Sequence, residues 1–272
     1  MNFIVDGAET YCYTGGKVFD PEKPTVILIH GVLNDHSVWI LQSRYLANHG
    51  WNVLAVDLPG HCRSKGEPTA TVEQAAGFIA GLMNATNLKK AALVGHSWGS
   101  LIALEAAARL KHRISHLVLV GIAFPMQVSP VLLDASLNDP QKGIQLMNIF
   151  MRSTLAAPPS VLGPGTWVRG SSTALNRRVL ASNSDVNLYH LGFQACNSYA
   201  NGEQAISEIT CPVLFVLGTA DLMTPPKAAK RLISAAENAN KDLTLVNLRV
   251  GHHQMQESPD PTLFALRDFL AH

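Results

Sequence analysis

AALVGHSWGSLIALEAAARL, residues 91–110, decides how the rest of this chain is read. The four apolar residues Ala91 to Val94 lead through Gly95 and His96 to a serine, with Gly95 two places before it and Gly99 two places after. Beyond it, Trp98 to Leu110 spaces alanine and leucine for close helical packing. This order predicts a buried strand, a sharp turn and a helix. The residue at such a turn is held in a strained backbone conformation. Side chains two places to either side would strike the adjacent chain, and the two glycines avoid that. The turn lifts the Ser97 hydroxyl clear of the sheet and sets it beside the positive end of the next helix, where developing negative charge is favoured. Ser97 is the candidate nucleophile. The competing reading of the same letters is a Gly-Ser turn without chemistry.

Strand and helix signals alternate outward from this point. The pieces Phe3 to Val5 and Thr10 to Tyr13 bracket Asp6-Gly7 and predict an opening hairpin. Solid apolar runs at Thr25 to Ile29 and Asn52 to Val56 predict buried strands, the first covered on both faces, and Leu117 to Val120 predicts another strand. Helices are predicted over 37–49 and 71–86. Further on, Val213 to Leu217 and Leu243 to Leu248 read as strands, and 226–237 and 260–271 as helices. Such alternation predicts an α/β fold, a mostly parallel sheet with helices on both faces. Residues 124–205 break the rule. They carry Pro125, Pro130, Pro140, Pro158, Pro159 and Pro164, and glycine at 143, 163, 165 and 170, among apolar clusters such as Ile144, Met147 and Phe150. An interval of about 80 residues is too long for a connecting loop. It is expected to be a helical cap inserted into a core formed by 1–123 and 206–272.

Composition sets the limits. With 272 residues, 47% of them apolar and 15% charged, the chain is long enough to bury a core without disulfides or structural metal and is not a disordered polymer. Lys and Arg number 21 against 20 Asp and Glu, and no basic run stands out, so no nucleic-acid partner is expected. Cys12, Cys62, Cys196 and Cys211 lie far apart, with no metal-ligand spacing, and read as free thiols in a reducing compartment. The first residues hold no basic stretch, and Asp6 and Glu9 oppose a signal peptide; no apolar run approaches a membrane span. A cytoplasmic protein acting on a small molecule is expected, without membrane, metal or cofactor. Its oligomeric state is not legible.

Five pieces in order carry a resemblance: Ile29-His30-Gly31 followed by Trp39, Asp57-Leu58-Pro59-Gly60-His61, the turn around Ser97, Gly218-Thr219-Ala220-Asp221, and Gly251-His252 with Glu257 and Pro259 after it. Together they resemble the α/β-hydrolase-fold enzymes over nearly all of the chain except the cap. In that family a serine is followed in the chain by an acid and then a histidine. Chain order leaves Asp134, Asp139, Asp185, Asp221 and Asp242 eligible. In an open parallel sheet, sites form at the carboxyl ends of the strands. Asp221 lies just past such an end, Asp242 lies before its strand, and the other three belong to the cap. Topology cannot separate His252 from His253; the family's Gly-His pattern ahead of Glu257 and Pro259 points to His252. The resemblance also implies an oxyanion hole made by the backbone N–H groups of Val32 and Trp98.

Other residues take plainer readings. His30, His61 and His96 are expected to pack beside the motifs, and Asp57 to hold a turn. Cys62 stands where relatives carry glycine. The resemblance implies a cofactor-independent serine hydrolase cleaving a carboxylic ester of a small hydrophobic substrate through an acyl-enzyme. A carbon–carbon bond hydrolase or enol-lactonase of aromatic catabolism is the alternative, and a non-catalytic binding protein on the same fold is another. A serine at 97 argues against the dehalogenases and epoxide hydrolases of this fold, which place aspartate there. The run Gly31-Val32-Leu33-Asn34 departs from the Gly-Gly-Pro-Gly of proline iminopeptidases.

Overall fold

Two antiparallel strands, β1 (Asn2–Val5) and β2 (Ala8–Tyr13), form the expected hairpin and start the sheet. The fold comes from a computed structural model that describes residues 1–20, 22–152 and 168–271. The second strand pairs antiparallel with β4 (Asn52–Val56), and every later pairing is parallel. The other strands are β3 (Thr25–Ile29), β5 (Ala91–His96), β6 (Ile114–Val120), β7 (Val213–Gly218) and β8 (Leu243–Leu248). Their order across the sheet is β1-β2-β4-β3-β5-β6-β7-β8. All residues of β3, β4, β5 and β7 are buried, as continuous apolar runs covered on both faces should be.

The order carries the functional consequence. From β3 the chain crosses to β4 on one side and then returns to β5 on the other. Connections leaving adjacent strand ends in opposite directions open a crevice at the carboxyl edge, where α/β sheets bind ligands. Ile29 pairs in register with Gly95, so the loop after β3 and the turn at Ser97 meet at that crevice.

Helices α1 (Ile40–Asn48), α2 (Val72–Ala85) and α3 (Trp98–Leu110) cover the first half. Thr71 caps α2 by accepting from the Gln74 amide, and Gln74 reaches back to the Ala70 amide. From Trp98 to Ala108 every residue of α3 is buried, so its small residues seat it tightly on the sheet. The 37–49 prediction resolves into a 3₁₀ turn, His36–Trp39, leading into α1. Strand β5 runs two residues past Val94, because Gly95 and His96 still pair with Leu119 and Val120. Strand β6 begins three residues before Leu117; its half-buried Ser115 and His116 hide the extension from a hydrophobicity reading.

Between β6 and β7 lie α4 (Pro130–Asn138), α5 (Pro140–Phe150), α6 (Val168–Ala181), α7 (Leu188–Ser198) and α8 (Gly202–Glu208). The boundary expected at 205 falls inside α8, which packs on α3 and on α9 (Lys230–Asn238) with the core layer. The glycines and prolines at 158, 159, 163, 164 and 165 lie outside the described residues. The chain ends with α10 (Gln254–Glu257) and α11 (Pro259–Leu270). Among the described residues no helix is long and apolar enough to cross a membrane.

Candidate active site

Ser97 has φ 55° and ψ −119°, a backbone conformation that L-residues rarely adopt, and it leads directly into α3. Its surroundings over-determine that geometry. A methyl group on Gly95 would overlap the carbonyl oxygen of Gly99, and one on Gly99 would run into the carbonyl oxygens of Ile29 and His30. The Ser97 N–H donates to the Val120 carbonyl at 2.9 Å, fixing the turn to the end of β6. Strain held in this way is characteristic of functional sites. Among the described residues the Ser97 hydroxyl has no hydrogen-bond partner; in unliganded enzymes such contacts are often long and tighten on substrate binding.

Gly121, the residue after β6, links this turn to the second half of the site. Its carbonyl accepts from the Thr224 hydroxyl group at 2.9 Å. Thr224 Oγ1 also lies 2.8 Å from Asp221 Oδ2 and 3.0 Å from His252 Nδ1. The N–H groups of Met223 and Thr224 both donate to Asp221 Oδ1 at 2.8 Å. His252 Nδ1 sits 2.8 Å from Asp221 Oδ2, with both side chains buried. Burial alone would raise the carboxyl pKa of Asp221, but the charge and hydrogen bond of His252, with the Thr224 bonds, outweigh it and hold the group below the ordinary carboxylate value. An ionised carboxylate at Nδ1 selects the tautomer protonated there and leaves Nε2 as the acceptor.

The two adjacent histidines separate cleanly. His252 faces Asp221; the His253 Nδ1 lies 3.2 Å from Gln256 Oε1, and its ring meets His96 edge to face. Glu257 accepts from the backbone N–H groups of Gly251 and His253, on either side of His252, at 3.2 and 3.3 Å. His96 Nε2 donates to the His252 carbonyl at 2.8 Å, and the two rings stand 4.7 Å apart. The base candidate is thus braced against the residue that precedes Ser97.

Loop 31–34 lies against the same turn. A methyl group on Gly31 would come within 3.2 Å of Ser97 Cβ. Among the described residues neither the Val32 nor the Trp98 backbone N–H donates a hydrogen bond, and the Trp98 amide is the first of a helix, where no intrahelical acceptor exists. Val32 and Ser97 line one cavity of about 220 Å³. Its walls are Met126, ahead of α4, with Leu132, Phe150 and Phe193 from α4, α5 and α7, Met223 and Leu222 from the Asp221 loop, and the uncharged polar groups of Gln127, Ser129 and Thr224. Met147 and Met151 are instead buried packing of the inserted helices.

The plainer readings fit their surroundings. His30 accepts from the Leu58 amide at Nε2, and His61 contacts the Pro59 carbonyl through Nδ1. Asp57 accepts from the His36 amide and ring and from the Arg63 amide. Cys62 lies against Asp35, and burial, with the nearby carboxylates, pushes its thiol up to about 12. Asp35, His36 and Asp57 bring three possible ligand atoms within 4.8 Å of one another. Asp35, however, is already held by Ser37 and the Arg178 guanidinium, and His36 by Asp57. Thr224 was not singled out in sequence; its signal is the Asp-x-x-Thr spacing that lets one carboxylate cap the turn following it.

Burial gives the site a measurable acid sensitivity. Desolvation lowers His61 and His96 from 6.5 to about 3. Between those values the unfolded chain binds protons that the folded chain refuses, so stability falls as pH drops through that window. The two residues are expected to make the protein about 4 kcal/mol less stable at pH 5 than at pH 7, at about 1.4 kcal/mol per unit per group. Urea unfolding at the two pH values measures it; an unchanged midpoint would mean the rings take up protons without unfolding.

The alpha/beta hydrolase fold family profile matches residues 24–257. A dihydrolipoyllysine-residue acetyltransferase component of an acetoin cleaving system from Cupriavidus necator is 37% identical over 119 residues, 43% of this chain and 30% of that protein. A 2-hydroxy-6-oxononadienedioate/2-hydroxy-6-oxononatrienedioate hydrolase of Dechloromonas aromatica is 27% identical over 264 residues, 91% of this chain and 87% of that one. The crystal structure of an enol-lactonase from Burkholderia xenovorans superposes over the full length of both chains with a TM-score of 0.82 at 23% identity, a likeness of fold.

Proposed function

The chain belongs to the alpha/beta hydrolase fold family, and on that premise we propose that it is a cofactor-independent serine hydrolase cleaving the ester of a small, uncharged acyl group. One observation carries the reading: a strained serine at a helix N-terminus lines the same cavity as Thr224, which touches both members of a buried Asp221–His252 pair. In the proposed mechanism Ser97 Oγ attacks the carbonyl carbon while His252 Nε2 takes its proton. Asp221 holds the imidazole in the required tautomer and stabilises its charged form. The Val32 and Trp98 N–H groups receive the negative oxygen. His252 then protonates the leaving alcohol, and a water activated by the same nitrogen releases the acid and restores the serine. Helices α4 to α7 act in this proposal as the cap, with Phe193 and Cys196 of α7 carried to the cavity wall. The location is proposed as cytoplasmic, in keeping with four free thiols.

The carbon–carbon hydrolase reading draws on the Dechloromonas relative, which is named for a dioate substrate. A dicarboxylate needs a cationic partner where it is buried, because an unpaired carboxylate costs several kcal/mol to desolvate. The cavity walls here are apolar or neutral among the described residues, and residues 153–167, outside them, contain no Asp, Glu, Lys, Arg or His in sequence. The test compares kcat/KM for p-nitrophenyl butyrate with that for the p-nitrophenyl hemiester of succinate. A preference of about 100-fold for butyrate is expected, from about 3 kcal/mol of unpaired charge. Equal values would reject the neutral-acyl assignment, and faster cleavage of a vinylogous diketone than of either ester would favour the carbon–carbon reading.

A further inference from the structure

Leu33, directly after the proposed oxyanion donor Val32, has φ 54°. It occupies the third place of a tight turn closed by the Asn34 N–H donating to the Gly31 carbonyl at 3.3 Å. That place usually falls to glycine or asparagine, and an L-residue with a Cβ pays about 1–2 kcal/mol there. A turn strained in this way keeps its shape only when its surroundings impose it.

Here the imposing group comes from the inserted helices. Asn176 of α6 donates from Nδ2 to the Leu33 carbonyl at 2.8 Å, across 143 positions of sequence. Asn176 is itself oriented: its Oδ1 accepts from Asn148 Nδ2 at 2.8 Å, and that amide also donates to the Ile144 carbonyl one turn earlier in α5. All three contacts are buried. Two residues further along α6, Arg178 donates to Asp35 Oδ2 at 2.6 Å, and Asp35 Oδ1 caps the turn at Ser37. Both ends of loop 33–35 are thus tied to one helix.

We infer that α6 positions the oxyanion hole: Asn176, braced by Asn148, holds the strained Leu33 turn so that the Val32 N–H points into the cavity, with the Arg178–Asp35 pair as a second tie. This rests on the proposed role of the Val32 amide. Cap placement and transition-state stabilisation are then one event, since a cap shifted off the core would release the turn. Asn176 is a positioning residue and touches no substrate.

The test uses the full-length chain with three substitutions. Asn176→Leu keeps the side-chain size and removes the donor. Asn176→Asp keeps the shape but turns an acceptor toward the Leu33 carbonyl. Arg178→Met cuts the partly exposed second tie. On p-nitrophenyl butyrate, Asn176→Leu and Asn176→Asp are expected to lower kcat about 10- to 100-fold with KM within about threefold, because a lost oxyanion donor costs about 10²–10³ and a displaced one costs less. Fluorophosphonate modification of Ser97 should slow in parallel, since the phosphoryl oxygen uses the same donors. Arg178→Met should lower kcat several-fold with the same split. A folded Asn176→Leu with parental kcat, or one altered in KM alone, overturns the inference. If that variant does not fold, parental kcat in Arg178→Met overturns it. A parent chain that neither turns over ester nor is labelled at Ser97 overturns the hydrolase reading instead.

Discussion

Replacing Ser97 with alanine is expected to lower kcat for p-nitrophenyl butyrate by about 10⁶, the scale on which serine triads lose turnover when the nucleophile is removed. Alanine keeps the Cβ and leaves the elbow's backbone contacts intact, so the loss isolates the hydroxyl. The variant should fold as well as its parent: the hydroxyl has no hydrogen-bond partner among the described residues, while the Ser97 N–H to Val120 bond survives the change. What remains would come from substrate binding and the two proposed oxyanion donors, worth about 10³–10⁴ over water in such sites. Thermal melting and ester turnover on the same preparation separate the outcomes. A drop of less than tenfold in a folded variant would take Ser97 out of the mechanism and turn attention to a water activated by His252.

The centre of the parallel sheet was legible because β3, β4, β5 and β7 are buried on both faces and therefore read as solid apolar runs. The turn at Ser97 was legible for a different reason: a steric requirement falls on two positions, and only glycine meets it at both. Legibility fails where structure depends on distant partners. Strand β6 hides its first residues because Ser115 and His116 are polar, and pairing with β5 extends it regardless. In the inserted region the prolines read as helix breakers. Pro130 and Pro140 instead start α4 and α5, each just after a capping residue, Ser129 and Asp139. Proline lacks a donor that the first helical turn cannot use anyway. The same contact explains why Asp139, eligible as an acid by chain order, serves a helix end. Asn176 gave no signal, since a lone asparagine inside a helix has no pattern until its partner 143 positions away is known.

The adjacent histidines offer the sharpest contrast in this molecule. His252→Ala is expected to reduce kcat nearly as far as Ser97→Ala, because the serine would then have no base and Asp221 would be left buried beside an empty site. His253→Ala is expected to stay within about tenfold of the parent; members of a catalytic unit each cost nearly the whole effect, and residues outside it do not. Both side chains are buried, and both rings lie against His96. The two alanine variants therefore remove comparable packing from neighbouring places, and stability losses should be similar, of the order of a few kcal/mol for a large buried side chain. Their polar partners differ: His252 Nδ1 lies 2.8 Å from Asp221 Oδ2 and 3.0 Å from Thr224 Oγ1, whereas His253 Nδ1 lies 3.2 Å from Gln256 Oε1 and meets no carboxylate among the described residues. Steady-state kinetics beside urea unfolding for the pair then tests position against chemistry. If His253→Ala proved the more damaging in kcat at equal stability, the base would have to be reassigned. The Asp221–His252 pair would then be a structural brace for the loop that carries it.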